Sequence, residues 1–540
     1  MKKLPLLLAA LVAALLCRQA SAATFTIADG DVAGLIAAIN TANANNEDDT
    51  INLAANGHYA NPVGINYTNG ENGMPVIGAD NGHTLTINGN GATIQGSVGF
   101  LNFRIFYIGS GADVTFSGLT IANAQGEQGY DGSGIYNDHG TLAVKNCTFS
   151  QNSAREGGAI FNDGSFDGSG SATLTITNST FSHNSAHDGG AITNDGNYSG
   201  SAPTSITNST FSQNSAYFGG GIYNEDATLT VTNSTFSQNS ASSEGDGIYN
   251  DGEYDGATLQ IGNTIINTDA PTENIANNYG TVISLGYNLI NDGGVTNGNG
   301  GTGDLNATGD QTNTDPLLDP AGLKDNGGPT QTIALQSGSP AIDKGKDMDE
   351  NGDPTGVDQR GFTRPIVTSG ITAPSGGDHS DIGAFELSAT YRSEKQDARA
   401  LVQGLIPSGD SKADKELQKA VDHLARSLDP VLWVDDFHLG RRGDKVFNEE
   451  KQAVLSLQKV IATVPRLAAR SRDAINQLVK VDREIAQLAI DEAVAGGDPR
   501  EIAKANAEMA QAQQALANGH PDAAIEHFGK AWQSAMKARR

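Results

Sequence analysis

Cysteine is nearly absent: the 540 residues contain two, Cys17 and Cys147. A chain this poor in cysteine has no disulfide framework to hold it, so its stability has to come from packing. Basic residues are scarce in the first part. Between Ala23 and Gly300 there are three, Arg104, Lys145 and Arg155, against 26 acids. That balance argues against nucleic acid or an anionic membrane surface as a partner, since both require basic surface. No zinc-protease H-E-x-x-H or Walker A sequence occurs, and the ten histidines are scattered. Gly298-Asn299-Gly300-Gly301-Thr302-Gly303 fits G-x-G-x-x-G. Without a clear strand before it and a helix after it, it reads as a loop. After the first two dozen residues no segment is long and apolar enough for a membrane helix.

The amino terminus reads as a secretory signal. Lys2 and Lys3 precede an apolar run, Leu6–Leu16, that is too short to span a bilayer, and Ala20-Ser21-Ala22 supplies small residues for cleavage. The mature chain is expected to begin near Ala23, which removes Cys17 and places the protein outside the cell, secreted or associated with its surface. Leu16 stands where a lipobox has a small residue, which argues against lipidation at Cys17.

The rest is two different polymers. Residues 391–540 hold 23 of the 34 Lys and Arg, 22 of the 62 Asp and Glu, both tryptophans and only 8 of the 66 glycines. Residues 1–390 hold the other 11 bases and 40 acids.

Self-similarity decides the fold of the first part. Asn146-Cys147-Thr148-Phe149, Asn178-Ser179-Thr180-Phe181, Asn208-Ser209-Thr210-Phe211 and Asn233-Ser234-Thr235-Phe236 are spaced by 32, 30 and 25 residues. Each leads into Ser-(Gln/His)-Asn-Ser-Ala, then a Gly-rich step such as Gly157-Gly158-Ala159-Ile160, then Asn and an acid. Thr173–Thr177 and Thr228–Thr232 alternate with period two, as short strands do. One repeat is one coil of a solenoid with a loop of variable length. Equivalent residues then lie about 4.8 Å apart. Phe149, Phe181, Phe211 and Phe236 are expected to stack inward, and the repeated Asn residues to form amide ladders at the turns. Two weaker coils lie upstream, at Thr84–Gly96 and Val114–Ala124. Val32, Leu35, Ile36 and Ile39 fall at helical spacing within Asp31–Ala44, where a helix would cap the open end.

These motifs support two resemblances. Phe149-Ser150-Gln151-Asn152 and Phe181-Ser182-His183-Asn184, with the Gly-Gly-Ala-Ile steps, resemble the repeats of polymorphic outer-membrane autotransporter passengers, which implies a surface β-helix linked to adhesion. Residues 301–387 resemble the choice-of-anchor Q domain of bacterial surface and secreted proteins. The resemblance rests on Asp315-Pro316-Leu317-Leu318, Asp325 to Thr332, Gly338-Ser339-Pro340-Ala341-Ile342-Asp343, Asp358-Gln359-Arg360-Gly361 and Asp381-Ile382-Gly383-Ala384-Phe385-Glu386, in that order. It implies a β-helix followed by this domain and offers no agreed catalytic residues. The sorting signal that usually follows in that family is not seen before Lys537-Ala538-Arg539-Arg540.

From Glu394 the pattern is helical. Ala453, Val454, Leu457, Val460, Ile461 and Val464 share a face, as do Ile475, Leu478, Val479, Ile485, Leu488 and Ala489. Asp498-Pro499-Arg500-Glu501 marks a helix start, and Asn518-Gly519-His520-Pro521 a break. The last pair resembles a tetratricopeptide-like hairpin. A small bundle with Trp433 and Trp532 in its core is one reading; a module docking to a cell-envelope partner is the other.

Two features carry possible chemistry. Asp347, Asp349, Asn351 and Asp353 place oxygen ligands at alternate positions, with Gly352 at the sixth and Asp358 at the twelfth, the spacing of a Ca²⁺ loop. Pro354 and the absence of flanking helices depart from that pattern, and Asp358 has an alternative partner in Arg360. Asp138, Asp163, Asp195, Glu225 and Asp251 follow the repeat Asn in successive coils. Their side chains either splay into solvent or are bridged by cations. They are also candidates for the carboxylate pair of a glycosidase, which needs two such groups about 5–9.5 Å apart.

The sequence therefore predicts an all-β right-handed parallel β-helix (solenoid) followed by a separate α-helical C-terminal domain. The divisions are a signal at 1–22, a β-helix with its capping helix at 23–300, a choice-of-anchor Q-like region closing it at 301–390, and helices at 391–540. The expected role is structural or adhesive display toward glycans or another surface protein, stabilised by Ca²⁺. The alternative is a polysaccharide-active enzyme of the glycoside hydrolase type. The two separate on whether a carboxylate pair sits in a groove walled by exposed aromatics, to which Tyr136, Tyr223 and Tyr249 are candidates.

Overall fold

The computed structural model describes residues 22–539 except 61–67, 69, 97–102, 127–129, 166–170, 269–272, 337, 368–370, 388–390, 435–437 and 495. The expected signal segment, with Cys17, lies outside the described residues apart from Ala22. The chain forms two compact units, Met1–Leu387 and Ser388–Arg540.

The first unit is a parallel β-solenoid of about nine turns over residues 23–297. Among the described residues its three long parallel sheets have ten, nine and eight strands, and a fourth pairs Ser215–Phe218 with Ser240–Glu244. Each full coil gives one strand to each long sheet. Thr173–Thr177, Thr180–Ser182 and Ile192–Asp195, for example, belong to the first, second and third sheets. Register is strict: Phe149 pairs with Phe181, Phe211 with Phe236 and Ile192 with Ile222. The unequal repeat lengths are absorbed in the loops, so the core sees an unvarying period.

That core is a column of Ile, Leu, Val and Phe side chains. Phe149, Phe181, Phe211 and Phe236 stack nearly parallel, with centroids 4.7–4.8 Å apart. The sheet spacing imposes this distance. Amide ladders run beside them on two of the repeated Asn positions, and at the head position one link is made, Asn263 Nδ2 to Asn233 Oδ1 at 2.9 Å. The Asn at the head of each repeat takes the left-handed turn, with φ of 54°, 52°, 50° and 48° at Asn146, Asn178, Asn208 and Asn233. A short polar side chain tolerates that conformation. The ladders are buried Asn152, Asn184, Asn214 and Asn239, linked by bonds of 2.9–3.0 Å, and buried Asn137, Asn162, Asn194, Asn224, Asn250 and Asn277, ending on exposed Asn297, linked by bonds of 2.6–2.8 Å.

Helix α1 (Val32–Ala42) is capped by Asp31, whose carboxylate accepts from Gly34 N at 2.8 Å. It buries Leu35 and Ile39 on the first end of the core, with Val32 and Ile36 partly covered beside them. At the other end the chain continues the coil through bridges at Thr302 and Gln311, and Leu305 joins the core. From Asp315 it turns back along the flank. Thr180 Oγ1 donates to Gln331 O at 2.6 Å, Thr210 Oγ1 to Gln359 Oε1 at 2.6 Å, and Ala384 N to Thr235 Oγ1 at 3.0 Å. Residues 301–314 extend the last coil, and the described residues after them lie along the second sheet and also touch that last coil, as where Tyr287 Oη donates to Ser375 O at 2.9 Å.

The second unit is helical: α2 (Tyr391–Gln403), α3 (Ser411–Ser427), α4 (Asp444–Thr463), α5 (Ala468–Val494), α6 (Pro499–Ala517) and α7 (Pro521–Ala538). Asp498 caps α6, accepting from Arg500 N at 2.8 Å. Trp433 and Trp532 are in its core.

Candidate functional site

The outer side of the third sheet concentrates the ionisable groups. Along each strand Ile and Asn point into the core, so the residues between them point out: an aromatic, then an acid. Asp138, Asp163, Asp195, Glu225 and Asp251 are in register on neighbouring strands. They form one acid strip.

The aromatics beside them are outward yet buried. Tyr107, Tyr136 and Phe161 stack at 5.1–5.3 Å in one small cluster, and Tyr223 stacks on Tyr249 at 5.3 Å in another. Arg104 covers the first, its guanidinium 4.4 Å from the Tyr136 ring; Phe218 covers the second, 5.2 Å from Tyr249. Tyr136, Tyr223 and Tyr249 thus form small buried aromatic clusters beside the main core, and not an exposed wall. Their hydroxyls serve the acids: Tyr107 donates to Asp138, Tyr136 to Asp163, and Tyr223 to Asp251 at 3.2 Å. Thr193 interrupts the aromatic row. Its hydroxyl accepts from Gly157 N at 2.9 Å and donates to the Asp188 carbonyl at 2.8 Å.

By the same one-coil offset, Phe161 stands where Asp195 would find a tyrosine donor and Thr193 where Glu225 would, so neither acid has one. Burial first, then repulsion from neighbouring acids, pushes both carboxyls up to about 7. Asn197 holds each down in part, by its backbone N–H at Asp195 and its side chain at Glu225. Burial also raises Glu156 to about 7 and Asp251 to about 6. Glu156 and Asp188 stand just before the Gly-Gly steps and bridge in register with each other. An acid recurring before Gly-Gly was the sequence signal for this second row, which the Asn-plus-acid motif did not capture. Beyond the strands, exposed Tyr198 and Tyr254 stack at 5.8 Å, and His187 stacks on Tyr217 at 5.1 Å. This face therefore carries carboxyls raised well above the ordinary range, with exposed aromatic pairs beyond its strands.

A second recess is polar. Gln151, His183, Gln213 and Gln238 occupy one left-handed turn position in successive coils and line a cleft of about 430 Å³, closed by Pro320–Leu323.

The five residues of the calcium-like spacing fall on the segment that crosses the second sheet. Asp347 is buried; its Oδ1 accepts from Asn233 Nδ2 at 2.7 Å and Thr355 Oγ1 at 2.6 Å, and its Oδ2 from Gly356 N at 2.6 Å. Asp349 Oδ1 closes a turn on Asn351 N and Asp353 N at 2.8 and 2.9 Å, and the side chains of Asn351 and Asp353 face solvent. Asp358 is buried against Arg360, 2.6 Å away, and also accepts from Phe362 N and Glu386 N. Among the described residues, no group of three or more His, Cys, Asp or Glu is placed to hold an ion.

Motif residues Asp358, Arg360, Asp381 and Glu386 join Arg364 in a buried ion-pair network. Arg364 binds Glu386 at 2.9 Å, Glu386 accepts from Asp381 N at 2.9 Å, and Arg360 lies 3.8 Å from the Phe385 ring. Burial and the Glu386 charge lift the Asp381 carboxyl well above the ordinary range. Gln359 reaches the solenoid itself, donating to Thr180 Oγ1 at 2.9 Å.

Two stretches of the solenoid, residues 146–163 and 208–225, match the model of the Chlamydia polymorphic membrane protein repeat. Each runs from the turn Asn, through the stacked Phe and the laddered Asn, to the acid of the third sheet. The matched unit is thus one coil's second and third strands with the turn between them. No curated protein and no solved structure matches the chain.

Proposed function

We propose that the chain is a surface or secreted β-helix protein that acts as an adhesive display module, with the third-sheet face as its contact surface. The match of two coils to a polymorphic membrane protein repeat carries this reading. The solenoid supports it, because its core is regular while its exposed features change from coil to coil. We further propose that residues 301–387 are a choice-of-anchor Q-like domain. The support is that Asp358, Arg360, Asp381 and Glu386, from two of its motifs, form a buried network with Arg364, and that Gln359 grips the second sheet. Calcium enters at the Asp347–Asp353 loop as a weak stabilising ligand, where Asp349, Asn351 and Asp353 retain access to solvent. The test is labelling of intact source cells and their medium with an antibody to the solenoid. Label on unpermeabilised cells or in the medium is expected; label only after permeabilisation overturns the proposal.

A second reading is favoured by one observation. Asp195 and Glu225 are neighbouring carboxyls raised to about 7, beside exposed Tyr198 and Tyr254. A glycosidase acid requires such a shift, and a retaining pair stands about 5–5.5 Å apart. Release of reducing ends from neutral polysaccharides, lost in Glu225→Gln, would support it. No release from any of them would leave display alone.

A further inference from the structure

The helical unit buries three charged side chains against one another. Lys395 on α2, Glu450 on α4 and Asp482 on α5 are each fully buried. Lys395 Nζ stands 2.5 Å from Glu450 Oε2 and 2.5 Å from Asp482 Oδ1. Glu450 Oε1 and Asp482 Oδ2 are buried with no N–H donor, and the two carboxyl groups lie within hydrogen-bond reach of each other. All three occupy core positions of their helices: Lys395 is in phase with Ala398 and Val402, Glu450 with Ala453 and Leu457, and Asp482 with Ile485 and Ala489.

An ordinary buried ion pair consists of one cation, one anion and enough donors to satisfy both. Here one ammonium faces two carboxyl groups, so the fully ionised set would carry a net negative charge away from water, which is strongly disfavoured. One carboxyl therefore holds a proton. Burial, then the Glu450 charge, raises the Asp482 carboxyl well above its ordinary range and marks it as the acid. A carboxylic acid, an amine nitrogen beside it and a carboxylate able to pass a proton between them are the reactants for an amide. Reacting atoms held at about 3–3.5 Å gain an effective concentration of about 10⁵–10⁸ M.

We propose that Lys395 and Asp482 are joined by a self-formed isopeptide bond, with Glu450 as its proton-transfer residue. The two facing acids hold Lys395 as an ammonium at rest; in the step Glu450 takes its proton, which leaves a neutral amine and two neutral acids with no net charge in the dry core. The nitrogen lone pair attacks Cγ of Asp482 while the Glu450 O–H donates to the carbonyl oxygen and steadies the charge that develops there. The tetrahedral carbon then expels its hydroxyl, which leaves as water with a proton taken from nitrogen through Glu450. One C–N bond forms, one C–O bond breaks, one water departs, and no oxidant or cofactor is consumed. The product ties α2 to α5 and closes a covalent loop around α3 and α4.

The test is the mass of the purified full chain after denaturation, followed by a peptide map. The wild type is expected to be lighter than its sequence by one water and to yield a branched peptide carrying Lys395 and Asp482. Lys395→Arg and Glu450→Gln are expected at full mass. Asp482→Asn is expected to lose ammonia in place of water, which identifies the leaving group. Recovery of the two wild-type peptides unlinked, at ordinary mass, overturns the proposal whether or not the variants fold.

Discussion

The solenoid and the helical unit solve the same problem in different ways. Both bury polar groups that have to find partners. In the solenoid the partner is the next copy: Asn162 donates to Asn194, and Asn194 to Asn224, because each coil repeats the last. The helical unit has no next copy, and Lys395 is met instead by two acids from different helices. Periodicity lets one motif satisfy many buried amides, whereas a unique core has to assemble each polar set once, from distant parts of the chain. The units also differ as reporters. Both tryptophans lie in the helical unit, so their fluorescence follows that unit alone, while circular dichroism follows both.

The largest expected break in this comparison is Phe181→Ala. It removes a ring stacked on both sides and should cost about 3–5 kcal/mol of solenoid stability. Denaturant unfolding by circular dichroism should show the loss while the tryptophan transition stays in place. A shift in both would mean that the two units unfold as one. Next is Asn194→Ala, which strands a donor on Asn162 and an acceptor on Asn224, at about 2–4 kcal/mol. If it costs no more than an exposed Asn→Ala, the ladder does not stabilise the coil.

Acidity gives the third contrast. Asp195, Glu225, Glu156 and Asp251 have folded-state values of about 6–7, above the unfolded values of about 4. The folded solenoid therefore holds protons that the unfolded chain has released. That stabilisation is full below about pH 4 and is lost as pH rises through 6–7. The solenoid should melt higher at about pH 5 than at about pH 8, and Glu225→Gln should flatten the slope. A melting temperature that rises over this interval would refute the buried-acid account. Calcium is the smallest effect. A site of about millimolar affinity, at about 1 mM ion, adds about 0.4 kcal/mol and raises melting by only a degree or two. An unchanged value with chelator would remove calcium from the proposal.

The coil was legible in the sequence because it repeats. Phe149, Phe181, Phe211 and Phe236 announce both their spacing and their burial. The asparagines were harder, since left-handed turns and amide ladders both select Asn and only coordinates separate Asn178 from Asn184. The path of residues 315–387 was not legible: the bond from Thr180 to Gln331 links positions 151 apart, and no local pattern encodes it. Tyr136 and Tyr249 sit on the outward side of their strands, and burial by Arg104 and Phe218 depends on loops from other coils. Lys395, Glu450 and Asp482 did leave a trace, as charges in phase with apolar stripes, but nothing local shows that three such charges meet.

The long asparagine ladder has a direction. Every Nδ2 points toward the carboxyl-terminal coil and every Oδ1 back toward the amino-terminal one. A head-to-tail chain of this kind has unlike ends. At its start, Ile108 takes the place of an Asn and Asn137 Oδ1 is left without a partner. At its finish, Asn297 Nδ2 is absorbed by the Gly303 carbonyl at 2.8 Å. A backbone carbonyl accepts but passes nothing on, so it acts as a terminator. Coils spliced between Asn162 and Asn277 would extend the ladder unnoticed, whereas coils added past Asn297 would first have to displace its stop.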